Sequence, residues 1–108
     1  MFVFNKEVIA RNCEPGVTRK ILSYTEDLMM CEITFEKGAC SDIHSHPHLQ
    51  ITYIVKGRFE FTIDGEKKRV SAGDSLYMPA NSIHGTVAIE EGMLVDVFSP
   101  MREDFLMG

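Results

Sequence analysis

The chain has 108 residues, 44% of them hydrophobic and 25% charged, which fits one globular domain able to bury a core without disulfides or a structural metal. With 11 Lys and Arg against 16 Asp and Glu the net charge is −5, which argues against a nucleic-acid partner. No apolar run approaches the roughly 18 residues of a membrane span, so no membrane association is expected. Cys13, Cys31 and Cys40 form an odd set without CxxC spacing and read as reduced thiols. The stretch MFVFNKEVIARN lacks a basic segment followed by an apolar one and a small-residue cleavage site, so a cytoplasmic protein is expected.

In chain order, residues 2–9 and 17–24 supply β-formers on either side of a Glu14-Pro15-Gly16 turn and predict two short strands, neither with obvious chemistry. Residues 28–36 alternate, with Met29, Cys31, Ile33 and Phe35 on one face and Met30, Glu32, Thr34 and Glu36 on the other, which predicts a half-buried strand. The stretch Gly38 to Gly57 follows and holds three of the four histidines. In an extended run His44, His46 and Gln50 can share a side, whereas Pro47 bends the backbone and releases His48 from that face. Neutral imidazoles beside an oxygen donor suit a first-row divalent cation; the alternative is a surface histidine cluster. Cys40 could be a soft ligand, but a buried Cys acting as a small hydrophobe is the favoured reading.

Residues 50–55 and 58–63 are β-rich, and Asp64-Gly65 is a hairpin signal leading into 66–71. A turn at Gly73-Asp74, a strand over 75–78 and a loop at Pro79-Ala80-Asn81-Ser82 then deliver His84. Strands over 86–89 and 93–98 and a short helical turn in the last residues complete the chain. About nine short strands at 8 to 12 residue spacing, without helical periodicity, predict an all-β sandwich or barrel, for which a jelly roll is one of the few closed solutions.

These positions carry a resemblance. Gly38, His44, His46, position 50 and Gly57 resemble the first cupin motif, G-x5-HxH-x3-E-x6-G, and Gly73, Pro79 and His84 resemble the second, G-x5-P-x-G-x2-H. Two positions depart from it: Gln50 stands for Glu, and Asn81 stands for Gly, a substitution that a left-handed turn tolerates. The resemblance implies a single-domain cupin over residues 1–108, a double-stranded β-helix or jelly-roll barrel. It further implies one divalent transition metal (Ni, Zn, Mn, Fe or Co) on His44, His46, Gln50 and His84, with His48 outside the ligand set.

The C-terminal segment, Leu94 to Leu106, resembles the KdgF family of small cupins. That resemblance implies a catalytic Asp, Phe and Arg at Asp96, Phe98 and Arg102, and conversion of 4,5-unsaturated uronates from polysaccharide lyases to the linear ketonised form. The residue types agree with such a task. Asp96 and Phe98 share a strand face, and an Arg can fork onto a carboxylate while an Asp moves a proton. Against this stand a backbone-binding Asp96 and a solvated Arg102. Other readings are a different small cupin enzyme, such as a dioxygenase or isomerase, and a non-catalytic sugar- or metal-binding cupin. Cupins often pair through their sheets, so a homodimer is expected.

Overall fold

The structure is a computed structural model and describes residues 1–107. Ten strands form: β1 Arg11–Glu14, β2 Val17–Tyr24, β3 Met29–Phe35, β4 Cys40–His44, β5 Leu49–Lys56, β6 Arg58–Ile63, β7 Glu66–Ser71, β8 Ser75–Met78, β9 His84–Ala88 and β10 Gly92–Ser99. All pairings are antiparallel, in a six-stranded sheet of order β1-β2-β3-β10-β5-β8 and a four-stranded sheet of order β4-β9-β6-β7. The two sheets make an all-β jelly-roll sandwich, as expected, and a single helical turn, α1 Glu103–Leu106, follows. Among the described residues no helix is long and apolar enough to cross a membrane.

Alternation builds the core. β3 buries Met29, Cys31, Ile33 and Phe35 and turns the residues between them outward, and β5 buries Gln50, Thr52 and Ile54. Facing them across the sandwich, Phe59 and Phe61 of β6 close the apolar layer, with the Phe59 ring edge-on to Phe35 at 5.2 Å. Asp64 and Gly65 both adopt positive φ, 48° and 85°, the pattern of the tight turn that matches strand twist. Asn81 takes φ 64°, the left-handed conformation expected of it in place of Gly.

The N-terminal segment departs from expectation. Residues 2–9 are not a strand: Asn5–Glu7 is a single 3-10 turn, and Phe2 and Phe4 are exposed. Phe-Val-Phe has β propensity and β1 is an edge strand with one side unpaired, yet, among the described residues, 2–9 join neither sheet. Asn5 instead lies across the outer face, where its amide donates to the Glu32 carboxylate at 3.1 Å and its Oδ1 accepts from Lys20 Nζ at 2.8 Å. Cys40 is also corrected, since it is exposed on β4, while Cys31 is the buried thiol.

Candidate metal centre

The histidines converge from one sheet and the loop that leaves it, and Gln50 reaches them from the other sheet. His44 ends β4 and lies opposite His84, the first residue of β9, in the four-stranded sheet. His46 sits in the loop beyond β4, and Gln50 lies on β5 of the other sheet, so no single strand carries the set. Ring centroids are 4.5 Å apart for His44 and His84, 4.8 Å for His46 and His84, and 5.7 Å for His44 and His46. One ring nitrogen from each of the three lies within 4.8 Å of the others. His48 is not in this cluster; its ring packs edge-on to Phe98 at 6.5 Å.

Backbone contacts hold the loops that present these rings. The Asn81 N–H donates to the His46 carbonyl at 2.8 Å, joining the two histidine-bearing segments. Ile83, next to His84, is clamped from both sides by Asp64: its N–H donates to Asp64 Oδ1 at 2.8 Å and its carbonyl accepts from the Asp64 N–H at 2.7 Å.

The donor set fits a cation. Nδ1 of His44, His46 and His84 faces a backbone carbonyl, that of Asp42 at 2.7 Å, His48 at 3.1 Å and Ser82 at 3.1 Å respectively. A carbonyl can only accept, so in a neutral ring at each of these positions Nδ1 carries the proton and Nε2 presents the lone pair. His84 Nε2 is buried with no hydrogen-bond partner. The Gln50 amide donates to Thr52 Oγ1 at 3.1 Å and Asp96 Oδ1 at 2.9 Å, which turns its oxygen toward His46 Nε2 at 2.9 Å. Two acceptors face each other there, an arrangement a shared positive centre resolves. Burial lowers the basicity of His46, and of His84 to about 4, which keeps both rings in the neutral form that ligates.

The cupin domain profile matches residues 31–98, most of the sandwich and all of the histidine cluster. A curated relative, the pectin degradation protein KdgF of Dickeya dadantii, is 46% identical over 93 residues, 84% of each chain. The chain belongs to the KdgF family of cupins. The solved structure of KdgF from Halomonas sp. superposes with a TM-score of 0.93 at 42% identity, covering 97% of both chains. An RmlC-like cupin from Shewanella frigidimarina gives the same TM-score at 39% identity, covering 96% of this chain and 94% of that one.

In this KdgF-family cupin the histidine cluster opens onto a cavity of about 570 Å³, lined among others by His44, Gln50, His84, Asp96, Phe98 and Arg102. Central strand β10 places Asp96 opposite Thr52 and Phe98 opposite Gln50. Thr52 Oγ1 donates to Asp96 Oδ1 at 2.6 Å, so this oxygen takes both side-chain bonds and Oδ2 takes neither. Desolvation pushes Asp96 up to about 6, against the lowering pull of Thr52 and Gln50. The same interior pushes the Cys31 thiol up to about 12, leaving it inert.

Arg102 lines the cavity with one edge of its guanidinium occupied. Its Nε and Nη2 donate to Asp104 at 3.0 and 2.9 Å, and this pairing holds the Asp104 carboxyl below its ordinary range. Arg19, on a strand whose sequence showed no obvious chemistry, lines the same cavity. The signal was the period of two, which puts Arg19 between Val17 and Ile21 on the face of β2 that meets the core.

Proposed function

We propose that this chain is a metal-dependent enzyme that converts 4,5-unsaturated uronates, released from pectin or alginate by lyases, to the linear ketonised form. The observation that carries the reading is the meeting of the His44, His46, Gln50 and His84 donor set with a desolvated carboxylate, Asp96, in one cavity. Similarity to a pectin degradation protein supplies the substrate class. A divalent cation held by His44, His46, Gln50 and His84 supplies Lewis acidity toward substrate oxygens, undiminished by any anionic ligand.

The remaining work falls to protein groups. Ring opening is an isomerisation: the anomeric hydroxyl loses its proton, the C1–O5 bond breaks, and C4 gains a proton as the enol becomes a ketone. Asp96 Oδ2 takes the first proton and returns it at C4, while Thr52 and Gln50 fix the carboxylate through Oδ1. Phe98, 2% exposed, gives the sugar an apolar wall. Arg102, braced by Asp104, brings positive charge to the cavity wall. Incubating the metal-loaded protein with an unsaturated galacturonate and recording proton NMR spectra tests the reading. Loss of the ring vinyl signal, in step with growth of open-chain signals, is expected; a spectrum unchanged beyond the spontaneous rate contradicts it.

The partner reading is a second copy of the chain. The outer face of β5 exposes Leu49, Ile51, Tyr53 and Val55, and neighbouring β8 adds Tyr77. These five side chains form an apolar stripe on the six-stranded sheet, the composition of a homodimer contact.

A further inference from the structure

Two guanidinium groups flank one aromatic ring beside the cavity. The Arg19 guanidinium carbon lies 3.6 Å from the Phe105 ring centroid and that of Arg102 lies 4.2 Å from it. Phe105 in turn packs edge-on to Phe98 at 5.6 Å, so α1 ties both cations to the wall of the site. The two differ in what their nitrogens meet. Arg102 gives its Nε and Nη2 to Asp104, whereas Arg19 makes no ion pair with a carboxylate among the described residues, and its Nε is buried without a hydrogen-bond partner.

An inward-facing guanidinium is costly unless paired, because burial removes water from donors that cannot be neutralised by losing a proton. Val17 and Ile21 on the same face are packing residues, so β2 gives up one apolar position to place this charge. A guanidinium lying over an aromatic face keeps its N–H donors in its own plane, pointing away from the ring contact. Glu14 and Asp42 also line the cavity, yet neither approaches Arg19 as an ion pair.

We propose that Arg19 is the carboxylate-binding residue of this cavity, gripping the anionic group of a small sugar acid while Arg102, held by Asp104, shapes the wall. The inference rests on the cavity being the substrate site described above. It names the group that selects an acid over a neutral sugar: a planar fork meeting a planar carboxylate through two parallel hydrogen bonds. A neutral ester of the same sugar cannot complete that pairing.

The test is calorimetric titration of metal-loaded wild type, Arg19→Gln and Arg19→Lys with galacturonate and with its methyl ester, after metal content is shown equal. Wild type should prefer the acid. Arg19→Gln should lose roughly 10- to 100-fold in affinity for the acid and little for the ester, and Arg19→Lys, keeping charge without the fork, should fall between. Should the Gln variant fail to fold, the Lys variant decides by whether its acid-to-ester ratio drops. An unchanged ratio in a folded variant, or a wild type that does not prefer the acid, overturns the proposal. With unsaturated uronate, Arg19→Gln should raise KM with kcat largely kept. Loss of acid preference in a protein that never turns over uronates would leave Arg19 in place and remove the enzymatic reading alone.

Discussion

Gln50 is bound on three sides, and its chemistry cannot be copied by the Glu of the usual cupin motif. Its amide donates to Asp96 and Thr52 while its oxygen faces the imidazoles. Gln50→Glu deletes both donors and sets a second carboxylate against Asp96 at about 2.9 Å. The variant should retain metal longer under chelation, melt lower than wild type without metal at pH 7, and turn over more slowly. Equal retention in metal analysis after dialysis against chelator contradicts the ligand role of position 50. Asp96 gives a signed pH prediction. Its folded value is raised from 3.8 to about 6, so its contribution to stability is full below about 3.8 and is lost as pH rises through 6. Metal-free Asp96→Asn should therefore melt above wild type at pH 7, by an amount of order 1–3 kcal/mol, and the gap should close near pH 4. Melting curves across that range check it, and a gap that widens toward acid contradicts it. Among these residues sequence reached Gln50 and Asp96 through motif spacing. It could not show that Asp104 occupies Arg102, because an i, i+2 pair in a tail is equally a solvated pair.

At the scale of elements, β10 is the strand that makes the site, lying between β3 and β5 with Asp96 and Phe98 turned inward. The turn between β5 and β6 packs tightly against its start. Gly57 has φ 84°, and a Cβ there would lie 2.5 Å from the Glu91 carbonyl oxygen, just before β10 begins. Gly57→Ala should lower stability by about 1–3 kcal/mol and reduce metal-dependent activity as β10 shifts. An unchanged denaturation midpoint contradicts that account. β3 was legible in the sequence because one face is fully buried and the period of two survives intact. Residues 2–9 were not, since propensity does not say whether a segment takes up an open edge, and here side-chain bonds from Asn5 to Glu32 and Lys20 hold it elsewhere. The histidine stretch was half legible. Spacing gave the residues, but the chain crosses between sheets after His44, and a turn around Pro47 does not announce which sheet receives the next strand.

For the whole molecule, folding and metal binding are linked, because the imidazoles converge only in the folded sandwich. A metal at 1,000 times its dissociation constant should add about 4 kcal/mol to stability, and chelation should return the melting temperature to that of the metal-free protein. Since burial lowers the basicity of His46 and His84, protons compete for these two ligands only below the ordinary histidine range. The stripe from Leu49 to Val55 predicts a mass of two chains by light scattering, and Tyr53→Glu should yield a folded monomer; a monomeric wild type contradicts the pairing. The central claim, that a metal held by three histidines and Gln50 works with Asp96 on an unsaturated uronate, meets its most direct test in one rate comparison. Metal-replete wild type and metal-replete Asp96→Asn, matched for metal content, are followed by the decay of the substrate's double-bond absorbance. Decay well above the spontaneous rate is expected for wild type, and a rate lower by about 10² to 10⁴ for Asp96→Asn. Equal rates for the two proteins, or a wild-type rate no faster than buffer, would contradict it.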